Sequence, residues 1–307
     1  MDYIWIFSAI AAAFFQSMRL GALKQLNQTL SVTATSYVRV LFTLPFLTVY
    51  LLGLCLVTGE PLPALNVRFL FCACVAALGQ FVGTVVLVRL FQLANFAVGT
   101  MLQKTDVLMT AIIGSVFFSE MISAGGWLAI LVTACGVLLI SAARIPAAAN
   151  PPARSDLVQT LLGPSTRIGL LTGLLFGLSY LFLRDAILSL DPAGSAAMRS
   201  AFAGFAMTAW SFVIVGVWFV LFERKALSKI RGFFGLCIFL GFTSALGTIF
   251  WFFASALANA AYVAAVAQVQ IVFTLAISWF YFGERIRALE FAGIIIVLAG
   301  LLLFRAV

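Results

Sequence analysis

Residues Ala267–Ile286, AQVQIVFTLAISWFYFGERI, read as a membrane span apart from their last few positions, yet Gln268 and Gln270 stand near the start. Hydrocarbon penalises a polar side chain without a partner by several kcal/mol on alkane transfer scales. A lipid-bathed helix keeps two such groups only if something inside the protein uses them. A twin of the stretch lies 164 residues upstream: Gln103–Ile122, QKTDVLMTAIIGSVFFSEMI. In this register Lys104 meets Gln268 and Asp106 meets Gln270, so polar residues recur at equivalent places.

The same offset holds over some sixty residues. Gly83-Thr84 falls on Gly247-Thr248, Leu93-Ala94-Asn95 on Leu257-Ala258-Asn259, Thr110 on Thr274, Phe118-x-Glu120-x-Ile122 on Phe282-x-Glu284-x-Ile286, and Gly136 on Gly300. Nearer the front of each half an offset of 160 fits, with Arg39 on Arg199 and Phe42 on Phe202. The chain is an internal repeat.

Composition sets the class. The 307 residues are 64% hydrophobic and 9% charged, with a mean hydropathy of +1.17. Soluble domains carry about 25% charged residues. Apolar runs of roughly 20 residues recur throughout, enough for each to cross a bilayer as a helix. The short alternating segments of a barrel are absent. Breaks at charges, Pro and Gly predict ten helices at about 3–23, 32–57, 66–90, 93–118, 124–143, 167–188, 193–221, 231–254, 257–282 and 288–305. The expected fold is all-α and polytopic. A first five-helix repeat spans 1–143, a Pro- and Ala-rich linker 144–166, and a second repeat 167–307. Five is odd, so the second repeat enters the membrane from the opposite side. Such inverted repeats are common in secondary transporters, where the site lies near midplane at the repeat interface.

The net charge of +8 is spread over short loops and predicts topology signals rather than a nucleic-acid partner. There is no histidine, and Cys55, Cys72, Cys74, Cys135 and Cys237 all lie in apolar runs without metal-ligand spacing. No metal, cofactor or nucleotide-binding loop is expected. Met1-Asp2-Tyr3 opens straight into an apolar run, without the basic start of a cleavable signal.

Paired five-helix halves, each closing with a Gly/Ser-Glu turn and a Gly-rich last helix, resemble the EamA-type members of the drug/metabolite transporter superfamily. The closer match is FYFGERIRALEFAGIIIVLAGLLLF, Phe280–Phe304; the weaker is FFSEMISAGGWLAILVTACGVLLI, Phe117–Ile140. YVRVLFTLP, Tyr37–Pro45, is similar to the family's arginine-bearing second helix. The resemblance implies a ten-helix bundle around a central cavity, moving small metabolites such as amino acids, often outward, across the cell (inner) membrane. The family's fourth and ninth helices often carry a midspan proline. Here those positions read KTDVL and QVQIV, so the feature that would kink and unwind them is missing, and Asp106 matches no family motif.

Ionisable residues inside a membrane are costly and mark function by default. Arg39, Lys104, Asp106 and Arg199 stand out. Gln103, Asp106 and Thr110 share a helix face, and Gln270 and Thr274 repeat the last two. This face is the candidate cavity wall, with Asp106 binding a substrate ammonium or a coupling proton. A packing-only pair of Asp106 with Lys104 or Arg39 is the alternative. Gln268 and Gln270 sit about 200° apart on a helix and do not both face one cavity squarely; by alignment with Asp106, Gln270 is assigned to the pathway and Gln268 to a helix–helix hydrogen bond. Arg39 and Arg199 either snorkel or bind a substrate carboxylate. Gln16, Gln80 and Tyr180 are further cavity candidates, and Glu120 and Glu284 are read as helix N-terminal acids.

Basic residues concentrate on the face opposite the termini, which places the termini outside by charge; the resemblance favours termini inside. The sequence reads as a transporter exporting a small polar or amphipathic metabolite, by alternating access and proton-coupled or gradient-driven. A lipid or lipid-linked substrate flippase of the same architecture is the alternative. A lone midspan aspartate argues against an intramembrane enzyme. The expected partners are a small-molecule substrate and the bilayer; oligomeric state is open, with a monomer compatible.

Overall fold

The computed structural model describes residues 3–26, 29–93, 104–143, 164–191, 194–222, 231–282 and 287–304, which are helical with short turns and carry no strand. In chain order the helices are α1 (Ile4–Leu26), α2 (Val32–Thr58), α3 (Val67–Leu93), α4 (Asp106–Phe117), α5 (Ala124–Ala143), α6 (Pro164–Ser189), α7 (Ala196–Phe222), α8 (Phe234–Leu257), α9 (Ala260–Val266), α10 (Gln270–Phe282) and α11 (Ala288–Leu303). Among the described residues, seven spans are long and apolar enough to cross a membrane, one of them formed by α9 and α10 together, and three shorter apolar helices accompany them. The protein is a multi-pass membrane protein. The fourth expected helix is described only from Lys104 onward, and the ninth is broken in two.

Local chemistry explains the ends. Ser31 caps α2 by accepting the Ala34 N–H, and Gly59, at φ 70°, closes it with its N–H on the Cys55 carbonyl. A left-handed residue at this position is cheap for glycine alone, and Pro61 and Pro63 follow. Within the spans, many hydroxyls satisfy themselves on their own helix. Ser17 donates to the Ala13 carbonyl, Thr43 to Arg39, Thr133 to Ala129 and Ser255 to Trp251. Where water is absent, this back-bonding is the nearest partner available.

The chain forms two compact units. In the first, α8 packs on α1, α2 and α7, and α2 on α7. Leu26, Val38, Phe219, Cys237 and Leu240 form its buried centre. Tyr37 stacks on Phe219 at 4.4 Å. Gly241 lets α8 approach the α2 backbone at Phe42, where a Cβ would meet main chain. In the second unit α5 and α11 make the most extensive helix pair, and α9 packs on α4 and α5.

Each unit draws helices from both sequence repeats, and the contacts are reciprocal. A Cβ on Gly136 would lie 2.7 Å from the Val297 nitrogen, and one on Gly300 would lie 2.8 Å from the Thr133 nitrogen. Gly136 and Gly300 are equivalent at the 164 offset, and so are Thr133 and Val297. Gly247 packs against Phe15 and Gln16, while its counterpart Gly83 packs against Leu175 and Phe176, the equivalents of Phe15 and Gln16 at the 160 offset. Thr274 touches Ser17, oxygen to oxygen at 3.5 Å, while its counterpart Thr110 sits under Gly177, the equivalent of Ser17. Contacts of the form "A on B, and B's copy on A's copy" are those of a two-fold arrangement.

Candidate functional site

The opening stretch departs from its expected helix at its polar residues. After α9 the backbone tightens into a 3-10 turn at Ala267–Val269, and α10 starts afresh at Gln270. In the other half a turn at Lys104-Thr105 precedes α4, which starts at Asp106. Asp106 and Gln270 are equivalent at the 164 offset, so both half-helices begin at the same repeat position. No proline is responsible. The 3-10 turn is instead clasped by α5 and α11, and tertiary packing overrides the local helix preference. A mid-helix 3-10 turn often marks a functional hinge.

A small cavity of about 30 Å³ lies in the second unit at these breaks, lined by Lys104, Thr105, Thr133 and Gln268 together with apolar side chains of α4 and α5. Gln268 is 6% exposed, and its Oε1 has no hydrogen-bond partner. Against spans whose hydroxyls return to their own carbonyls, an open buried acceptor is costly, on the order of 1–3 kcal/mol. Lys104 supplies positive charge to the same space. An ammonium and an open amide oxygen together would receive a ligand carrying an anionic group and a hydrogen-bond donor.

Asp106 stands beside this cavity rather than in its wall. It is 4% exposed. Its Oδ1 accepts the Val107 N–H at 2.8 Å, and the Tyr180 hydroxyl donates to Oδ2 at 3.5 Å. Lys104 attracts it electrostatically. Its place in the first turn of α4 adds the favourable end of the helix dipole. The carboxylate is reached by α6 because Gly173 and Gly177, one turn apart, let the backbones touch. A Cβ at Gly173 would lie 3.1 Å from the Asp106 nitrogen, and one at Gly177 would lie 3.1 Å from the Thr110 nitrogen. Small residues spaced by four are a common device for close helix approach in membranes.

The other expected residues are placed as follows. Gln103 lies outside the described residues. Thr110 is fully buried and donates to the Asp106 carbonyl at 2.7 Å. Gln268 is in the cavity wall with its Oε1 unpartnered, and Gln270 starts α10 and is not among the residues lining this cavity. Thr274, Gln16, Arg39 and Arg199 belong to the first unit. There Thr274 meets Ser17, Gln16 packs under Gly247, and Arg39 and Arg199 are half-buried, Arg199 with an unpartnered Nε. Gln80 accepts from the Ser179 hydroxyl at 3.2 Å. Thr105 and Thr133 in the cavity wall were not anticipated. Among the described residues no group of His, Cys, Asp or Glu stands close enough to hold a metal ion.

Glu120 is a helix N-terminal acid, but for a different helix from the one that follows it. It is 4% exposed, and the Ala260 N–H donates to its two oxygens at 3.2 and 3.1 Å, so it caps α9. The Asn259 amide donates to the Met121 carbonyl, and the Tyr262 hydroxyl accepts the Ser123 N–H, docking the same turn. Glu120→Ala is expected to cost about 1–3 kcal/mol by orphaning a buried N–H. Thermal unfolding in detergent reads this directly, and a wild-type midpoint would mean the cap is dispensable.

The sequence profile of the EamA-like transporter family matches twice, at residues 3–142 and 167–306. No curated protein matches. Twenty-six chains of solved structures do. One, a crystal structure, is 11% identical and superposes with a TM-score of 0.67 over 99% of this chain and 96% of its own, a likeness of fold. With both repeats matched over nearly the whole length, this multi-pass membrane chain belongs to the EamA-like transporter family.

Proposed function

We propose that the protein is a secondary transporter exporting a small polar or amphipathic, amino-acid-like metabolite across the cell (inner) membrane. Its architecture in this reading is ten spans in two inverted five-helix repeats, 1–143 and 167–307, joined by the linker 144–166. The reciprocal contacts of Gly136 with Val297 and Gly300 with Thr133 support a two-fold relation, and an odd number of helices per repeat makes it an inverted one. The observation that carries the proposal is the cavity at the paired helix breaks, with the Lys104 ammonium and the open Gln268 oxygen in one wall. Lys104 takes the substrate's anionic group, Gln268 takes a donor from its other end, and Asp106 beside them carries the coupling proton. A volume of about 30 Å³ holds a water or two rather than a metabolite. Loading therefore needs the walls to part, as alternating access requires.

The test is counterflow in proteoliposomes against a panel of labelled amino acids and related metabolites, with and without an imposed pH gradient. Substrate-specific exchange driven by the gradient supports the proposal. No exchange with any compound moves the assignment to a lipid substrate in the same architecture. Gln268→Leu separates transport from folding. It removes a buried unsatisfied acceptor at nearly constant volume, so the thermal midpoint should hold or rise while exchange falls at least about tenfold. Polar groups kept at a stability cost are typical of sites under functional selection. A variant that exchanges normally but unfolds earlier would make Gln268 structural.

A further inference from the structure

A second polar cluster lies in the first unit, where the start of α3 meets the last turn of α6. Arg68 Nη2 donates to Asp185 Oδ1 at 2.6 Å and Nε to Oδ2 at 3.2 Å, a two-pronged pair. The Cys72 thiol, on the same face of α3 one turn on, donates to Asp185 Oδ2 at 3.1 Å. The Asn66 amide donates to the Ser189 carbonyl at 2.6 Å and adds a second tie between the same helix ends. One carboxylate therefore receives three donors. Its accessibility is divided: the Arg68 side chain is 69% exposed and that of Asp185 21%, whereas Cys72 is 2% exposed. A cation so open to solvent contributes little to stability. The tie is geometrically specific yet weak enough to break within a working cycle.

The repeat sharpens this. At offsets of 164 and 160, Arg68 corresponds to Gly232 and Asp185 to Gln25. Both counterparts are exposed, and Gly232 has open space around it. The two-fold copy of the cluster carries no charge pair.

We propose that Arg68 and Asp185 form a one-sided latch: the pair holds the ends of α3 and α6 together on one membrane face, must open for the path to open there, and has no counterpart on the other face. The one-sidedness rests on the inverted-repeat reading above. The latch biases the resting protein toward states closed on the face bearing residues 59–66. Cys72 is its built-in reporter, because opening removes both its cover and its hydrogen-bond partner.

The experiment follows Cys72 in the full chain after replacing Cys55, Cys74, Cys135 and Cys237 by Ser, using a membrane-impermeant maleimide on proteoliposomes. Neither reagent nor readout needs a substrate, so this result stands apart from success or failure of the counterflow assay. Arg68→Gln leaves the Cys72–Asp185 contact in place. It is expected to raise the labelling rate about fivefold, the upper end for a partly exposed pair, and Asp185→Asn at least as much. Raising NaCl from 0.1 to 1 M should accelerate the unmodified latch in the same direction, since salt screens it. That series decides the matter if either variant fails to fold. Labelling unchanged by both substitutions and by salt would overturn the latch. Equal acceleration by Gln25→Ala and Gly232→Ala, which alter the uncharged copy, would overturn its one-sidedness.

Discussion

In proteoliposomes, Asp106→Asn is expected to abolish gradient-driven exchange, a loss of at least about tenfold, while the protein still folds and purifies. The substitution keeps the side-chain shape. An amide oxygen still accepts the Val107 N–H, and the Tyr180 hydroxyl keeps a partner across 3.5 Å. What disappears is the negative charge facing Lys104 and the first turn of α4. A neutral acceptor weakens such bonds by about 1–2 kcal/mol, tolerable in a protein of ordinary stability. The coupling role has no such tolerance, because an amide does not take up and release a proton by titration in the accessible pH range. Two readouts separate the possibilities. Exchange lost with an unshifted thermal midpoint places Asp106 in coupling. Exchange retained with a lowered midpoint makes it a packing partner of Lys104 and Tyr180. A pH gradient should also cease to matter in the variant even if residual exchange is measurable.

The largest effect on folding is expected at the α5–α11 crossing. Gly136→Ala would set a methyl group 2.7 Å from the Val297 nitrogen and 2.9 Å from the Gly293 carbonyl oxygen. Both are backbone atoms of the facing helix and cannot turn aside. Gly300→Ala repeats the clash against Thr133, whose nitrogen would lie 2.8 Å away. Overpacking of this kind costs about 1–3 kcal/mol, with more when two helices must separate along their length. The thermal midpoint in detergent should fall clearly and by similar amounts for the two variants. Gly53→Ala is the control, since nothing lies within 4 Å of its Cβ. Equal midpoints for Gly136→Ala and Gly53→Ala would contradict the close approach. A large difference between Gly136→Ala and Gly300→Ala would contradict the reciprocity.

Most of the architecture was legible because helix length, hydropathy and the 164-residue register are local or periodic signals. The polar start of the ninth span was legible too, as a place needing explanation. Its geometry was not. Alignment with Asp106 points Gln270 to the pathway, and counting 100° per residue then turns Gln268 away from it, but the count assumes an unbroken α-helix. The 3-10 turn at Ala267–Val269 advances faster and changes which face each glutamine presents. The turn itself escaped notice because its cause is neither Pro nor Gly; α5 and α11 impose it from outside. Glu120 failed for a related reason. Its chemistry as a helix-capping acid was readable, but its partner, Ala260, is 140 residues away. The pairing of Arg68 with Asp185, 117 residues apart, is not legible in the sequence because it leaves no mark on either neighbourhood. Thr110 and Thr274 were correctly seen as equivalents, and the structure turns that equivalence into packing.

The glycine crossing also sets a clock for synthesis. Gly136 must find Val297, which the ribosome makes about 160 residues later, roughly ten to thirty seconds at ordinary elongation rates. During that interval α5 resides in the bilayer with its narrow face against lipid instead of protein, and only the last helix of the chain can relieve it. Insertion of α5 and its final pairing are therefore separate events, as in the two-stage view of membrane folding. A chain stalled before α11 would present the quality-control machinery with an inserted helix whose intended neighbour never arrives.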